Sequence, residues 1–287
     1  MILPVITFFI VFSYLPMHGV LMAFQDYNIS KGIWGGSQWI GLQNFIDFFN
    51  SPYFFRVVRN TLVLNFYGLI FVFPMAIIFA LLINEIRHKL FKRTMQTVSY
   101  LPYFISIVVI SGIIHDFTSQ DGLLTFAFKF ITGVQGPMNL LTMPQYFRTI
   151  YIVSDIWQFV GFNSIIYISA ISGINPELYE AAIIDGAGRW RQMIHITFAG
   201  IVPTITILFI LQIGNIMNVG FDKVFLLYNP AIFSNADVIS TYIYRQGLQA
   251  GQYSYSTSVG LFNSVVNFLL LISVNKLSKK VNEISLF

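Results

Sequence analysis

Five asparagines and one tyrosine stand in stretches that are otherwise almost wholly apolar. They are Asn163 with Tyr167, Asn215 with Asn218, and Asn263 with Asn267. Members of each pair are three or four residues apart, so a helix would carry both on one face. An amide both donates and accepts hydrogen bonds, and a tyrosine adds a flat ring with a hydroxyl. Such groups suit the hydroxyls of a sugar as it passes. The same residue types also bond helix to helix inside a membrane. Spacing leaves both roles open, and the solute-lining role is favoured for Asn263 and Asn267. Asp155 is the one acid well inside an apolar stretch. It lies close to one end of that stretch, where pairing with Arg148 or with another chain is the expectation, although an acid at such depth is by default a functional candidate.

Other chemistry is absent from the pattern. With no cysteine there is no disulfide, thiolate metal site or cysteine nucleophile. No glycine-rich loop ends in Gly-Lys-Ser or Gly-Lys-Thr, so ATP has no P-loop here. The four histidines are scattered and none forms a His-Glu-x-x-His metal motif. No catalytic or metal-binding residue is expected, and no basic run suggests nucleic acid.

The elements that must hold these residues are membrane spans. Hydrophobic residues make up 56% of the 287-residue chain and charged residues 10%, against about 25% charged in a soluble domain. The mean hydropathy is +0.70. Six stretches are long and apolar enough to cross a bilayer: 2–24, 60–84, 98–115, 149–171, 201–221 and 255–275. The chain is therefore expected to be all-α, a single six-span membrane domain over 1–287. The first stretch is too long for a signal peptide, and no small-residue cleavage site follows it cleanly. Pro74 should kink the second span by removing a backbone donor. Pro102 is expected in the first turn of the third, where proline is tolerated. An interfacial helix is expected between Gly122 and Leu141.

Basic residues set the orientation. Arg87, Lys89, Lys92 and Arg93 follow the second span, Arg189 and Arg191 the fourth, and Lys276, Lys279 and Lys280 the sixth. These loops and both termini are expected in the cytoplasm. The opposite loops are longer and nearly balanced in charge.

One cytoplasmic loop, 172–200, is built unlike the rest. It contains Asn175-Pro-Glu-Leu-Tyr-Glu-Ala-Ala-Ile-Ile-Asp-Gly-Ala-Gly-Arg-Trp. Asn175 suits a helix N-cap and Pro176 the first helical position. Glu177 and Glu180 sit where the helix dipole favours acids. Gly186 is placed to stop or bend the helix. The result is a short two-part surface helix with a small-residue face.

That loop resembles the EAA loop of bacterial ABC importer permeases. Glu180-Ala181-Ala182, three residues, Gly186, nine residues and Ile196 follow its pattern, and Asp185-Gly186-Ala187 with Trp190 is similar to the sugar-importer version. The family's closing Leu-Pro is replaced by Phe198-Ala199, with a proline only at Pro203. Gly41-Leu-Gln-Asn-Phe, Arg59-Asn-Thr-Leu and Leu101-Pro-Tyr-Phe also resemble sugar permeases. Gly220-Phe-Asp-Lys-Val-Phe-Leu-Leu-Tyr-Asn-Pro and Gly247-Leu-Gln-Ala-Gly-Gln-Tyr-Ser-Tyr-Ser-Thr resemble a branch that imports acidic oligosaccharides such as alginate fragments and aldouronates. The resemblance implies a cytoplasmic coupling helix in which Glu180, Ala181, Ala182, Asp185, Gly186, Ala187 and Trp190 dock on an ATPase subunit. It further implies a bacterial inner-membrane location, a second homologous permease chain, two ATPase subunits that hold ATP and Mg, and an extracytoplasmic binding protein. Oligosaccharide would be the cargo and lipid the surroundings, with no cofactor held by this chain. Neutral oligosaccharide is the alternative cargo. A secondary transporter would want ionisable groups at the bilayer centre, and a membrane enzyme would want an acid, histidine or nucleophile cluster.

Overall fold

The computed structural model describes residues 2–282, excepting the side chains of 281 and 282. Helix α1 (Leu3–Phe24) leads, and its second half packs along the last helix. Two-residue strands β1 (Gln25–Asp26) and β2 (Gln38–Trp39) pair antiparallel, a small addition to the expected all-α fold. Helix α2 (Gln43–Asn50) follows. Its Asn44, from the Gly41 motif, is buried and donates to the carbonyls of Ala23 and Gln25 at 2.9 and 3.2 Å. That amide ties the end of α1 to the loop after it.

Helix α3 (Phe54–Glu85) is a single 32-residue span, starting earlier than expected. Pro74 does not break it. A π turn at Gly68–Val72 comes just before, and Pro74 opens the α-helical stretch that follows. The wide turn absorbs the missing donor. The third expected span is broken instead. Helix α4 (Lys89–Phe104) and the stretch Ile107–Thr132 meet at 96°. Pro102 sits in the 3₁₀ turn that ends α4, not in the first turn of a span. Helix α5 (Ile107–Thr118) restarts with Ser106 capping the amide of Val108. Helix α6 (Leu123–Thr132) is the expected helix within 122–141. Its Phe130 and Ile131 are exposed.

Helix α7 (Pro144–Ser172) is continuous for 29 residues and turns by 73° into α8 (Glu177–Ile184). Helix α9 (Arg189–Gly214) starts 12 positions before the expected 201 and stops well before 221. Asn215 and Asn218 therefore lie in the turn after it, not inside a span. Short helices α10 (Phe221–Leu227) and α11 (Ile239–Tyr244) lead to α12 (Tyr253–Asn282). Among the described residues four helices are apolar and long enough to span alone, and six spans result if each bent pair counts as one.

Small residues let the spans approach closely, as membrane packing requires. Ala76 and Ala80 of α3 are buried beside Tyr167, Ile171 and Ile201. A Cβ on Gly161 of α7 would lie 2.1 Å from the Ser99 carbonyl oxygen of α4.

At the opposite end from α8, polar side chains lock the returning segment 228–245 onto α3. Asp237, with no exposure, receives Arg56 and Arg245, each at 2.8 Å. Asn60 donates to the carbonyls of Ser234 and Asp237 at 3.1 Å and accepts from Arg148 at 2.9 Å. Thr61 accepts the amide of Ile239 at 2.9 Å. The Arg59-Asn-Thr-Leu motif is thus a clasp. Burial pulls the Arg245 guanidinium down, but its bonds to Asp237 outweigh this and hold it above its ordinary value.

Candidate functional site

The loop 172–200 is shaped by its own backbone. Asn175 Oδ1 accepts the amide of Glu177 at 3.1 Å, and its Nδ2 donates to the Glu177 carboxylate at 3.1 Å. Regular α-helix begins at Glu177, one residue past the expected start. At the far end Gly186 has φ +75°. Its amide reaches the carbonyl of Ile183 at 3.0 Å, and the amide of Ala187 reaches that of Ala182 at 2.8 Å. This is a Schellman termination, which needs the left-handed backbone that glycine adopts freely.

The chain then folds back against the foot of α9. Gln192 Nε2 donates to the Ala187 carbonyl at 2.7 Å, and the Tyr179 hydroxyl meets Thr197 Oγ1 at 2.9 Å. A π turn at Met193–Phe198 stands where the family pattern would end, and Pro203 lies inside the helix beyond it. Glu180, Ala181, Asp185 and Gly186 are exposed, whereas Ala182 and Ala187 are half-buried against the loop. Ile184 and Trp190 are 87% and 69% exposed. Water is a poor solvent for such a surface, and it offers apolar area to a partner.

The second site is a cavity of about 450 Å³ between α3, α7 and the turn after α9. Its polar lining comes from Asn65, Asp155, Gln158, Asn163, Gln212 and Lys223, with Asp222 also on the wall. Asp155 does not pair with Arg148. It takes Lys223 at 2.5 Å, and the ammonium lies 5.0 Å from the centre of the Tyr151 ring. Arg148 reaches Asn60 and Asn235 instead. Gln158 is buried, and its Oε1 has no partner among the described residues.

A neighbouring cavity of about 330 Å³ brings Asn163, Tyr167, Gln212 and Asn215 together. Behind it runs an amide relay. Asn263 donates to Asn218 at 2.7 Å, and Asn218 donates to Asn215 at 2.5 Å. Asn267 is directed elsewhere, accepting the backbone amide of Met217 at 2.9 Å. Of the six residues singled out above, Asn163, Tyr167 and Asn215 line a cavity, Asn218 and Asn263 support one, and Asn267 ties a turn to α12. Sequence reasoning passed over Gln158, Gln212 and Lys223. Gln158 had a readable signal, because it follows Asp155 by three on the same helical face.

A comparison with known families decides what this bundle is. Residues 72–283 match the binding-protein-dependent transport system inner membrane component family. The chain belongs to that family. It is a multi-pass inner-membrane permease of the type I ABC importers, and transport, not catalysis, is the work of this family. The permease is 43% identical to Protein LplB of Bacillus subtilis, with 100% of this chain and 90% of LplB covered. It is 44% identical to the polygalacturonan/rhamnogalacturonan transport system permease protein YteP of the same organism, over 99% of this chain and 88% of YteP. Among solved structures it resembles a chain of a bacterial alginate ABC transporter in complex with an alginate pentasaccharide-bound periplasmic protein. That likeness has a TM-score of 0.90, with 42% identity, 100% of this permease and 95% of the other chain covered.

Proposed function

We propose that this permease lines part of the path by which acidic oligosaccharides, fragments of polysaccharides such as alginate or pectin, enter the cell. The observation that carries the reading is the amide-rich wall formed by Asn65, Gln158, Asn163, Gln212 and Asn215 in an apolar bundle. An amide left without a partner in hydrocarbon is costly, and hydroxyl-rich cargo would bond in passing to groups such as Gln158 Oε1, which has no partner among the described residues. Full-length likeness to YteP and to the alginate transporter chain supports the acidic class.

A second homologous permease would close the open side of the cavity. Two ATPase subunits, holding ATP and Mg, would dock beneath, taking Glu180, Ala181, Ala182, Asp185, Gly186, Ala187 and Trp190 into a cleft. ATP-driven closure would travel through this helix to α7 and α9. A binding protein outside would deliver cargo, and this chain would hold no cofactor of its own. The basic residues near α8 and α12 support a cytoplasmic position for both termini.

Uptake of a uronic-acid pentasaccharide by cells carrying the intact system tests the reading. The native permease is expected to support it, and Gln158→Leu to reduce it without loss of assembled complex. Normal uptake in that variant removes this wall from the path. Cysteines at Leu90→Cys and Gly188→Cys should escape an impermeant thiol reagent added outside intact cells, and labelling of either overturns the orientation.

A further inference from the structure

We propose that the arginines at the outer ends of α3 and α7 form a receiving site for the carboxylates of the cargo, distinct from the cavity below. This rests on the reading that the cargo is acidic.

Arg56, Arg148 and Arg245 meet in the clasp built on Asp237 and Asn60, and Arg59 is the neighbour of Asn60 on α3. The charge of Asp237 is taken by Arg56 and Arg245. Arg148 is held only by the uncharged amide oxygens of Asn60 and Asn235, at 2.9 and 3.1 Å. Arg59 directly precedes Asn60, which holds Arg148, and it is exposed and bonded to no side chain among the described residues. Neither guanidinium has an anion of its own among the described residues, an arrangement that an incoming anion relieves. In addition, Arg56 Nε, Arg148 Nε and Arg245 Nη1 are shut from water, with no acceptor among the described residues.

Position links the cluster to the path. Arg148 precedes Tyr151 and Asp155 by three and seven residues on α7, so it lies on their face of the helix, one to two turns outside the cavity they line. The cavity itself suits a carboxylate poorly. Its one cation, Lys223, is occupied by Asp155, and Asp222 leaves the wall with two acids against one base. Hydroxyls fit that lining, and carboxylates fit the arginines, whose planar forks match them in pairs of hydrogen bonds. An acidic sugar would therefore meet the permease charge first, at the outer end, and be held deeper only through its hydroxyls.

The test uses the complete transporter in nanodiscs of phosphatidylcholine, without binding protein. A uronic-acid pentasaccharide is compared with the same pentasaccharide after reduction of its carboxyls to alcohols. The native protein is expected to bind the acid form more tightly, with the preference fading as salt rises. Arg59→Gln should weaken the acid form by about twofold to fivefold, the range of a partly exposed ion pair, and leave the reduced form unchanged. Arg59→Glu should remove the preference altogether. Equal binding of the two sugars by the native protein overturns the proposal, as does a variant that weakens both alike. An Arg59 effect that appears only when anionic lipid is added assigns the cluster to lipid phosphate and also overturns it. Uptake of the acid sugar by native cells is scored separately, so failure of the cargo reading and failure of the arginine site give different results.

Discussion

The loops on either side of α9 are built by opposite means. The inner one, from Asn175 to Trp190, is closed mainly by backbone bonds and caps that span a few residues, with Tyr179 also meeting Thr197, and it leaves Ile184 and Trp190 in solvent. The outer one, from Asn215 to Gln252, is held by buried side chains whose partners lie far away in sequence: Asn60 to Asp237 across 177 residues, Arg56 to Asp237 across 181. The first is a shape prepared in advance with a bare face, which suits a part proposed to move against a partner. The second is fixed to the scaffold by polar bonds that cannot be given up cheaply. Motion would enter at the inner loop, and the outer clasp would keep the far ends of α3 and α7 together with the segment 228–245 while it acts.

The largest effect should come from breaking the clasp. Asp237→Ala leaves Arg56 and Arg245 facing each other in a largely buried place. Removing one partner of a buried pair costs about 3–5 kcal/mol, and the lower end applies because both arginines keep some water. The expected result is a sharp fall in the melting temperature of the detergent-solubilised protein and in membrane yield. A variant as stable as the parent would mean that the outer loop is not the fixed half of the contrast.

The inner loop should respond in function before stability. Gly186→Val places a β-branched residue at φ +75°, a cost of about 1–2 kcal/mol confined to one turn. Yield and melting temperature should change little, while cargo-stimulated ATPase activity of the complex falls severalfold. Gly186→Asn, which tolerates left-handed backbone better, should retain more activity than the valine variant. Equal activity in both variants and the parent would show that the shape of this turn is not used.

The same contrast explains what could be read from the sequence. Asn175, Pro176 and Gly186 act on their immediate neighbours, so residue type and spacing were enough to place the inner helix within one residue. Most spans were legible for a similar reason, since hydropathy is a local sum. The end of α9 was not. Asn-Ile-Met-Asn-Val-Gly-Phe at 215–221 is apolar enough to extend a span, yet the backbone leaves the helix at Asn215, with φ −113°. Apolarity measures preference for lipid and is silent about direction. Pro102 misled likewise, because a proline fits the first turn of a helix and a break equally well. The pairing of Asp155 with Lys223, and not with Arg148 about two turns away, depends on where α10 brings Lys223 beside α7, which no local pattern encodes.

The smallest expected effect separates two asparagines that the sequence presented as a pair. Asn267 accepts the amide of Met217 and is buried, so Asn267→Leu removes one bond in the bundle. Such bonds average about 0.6 kcal/mol, and a slight loss of yield with normal uptake per assembled complex is expected. Asn263 is one turn nearer the outer end and donates to Asn218, which in turn positions Asn215 at the cavity wall. Asn263→Leu should free that relay, leave yield close to the parent, and raise the cargo concentration needed for half-maximal uptake. Measuring uptake against assembled complex for each single variant makes the distinction. If Asn267→Leu lowers uptake per complex and Asn263→Leu does not, the roles assigned to the two amides are reversed, and the cavity must extend past the turn at Met217.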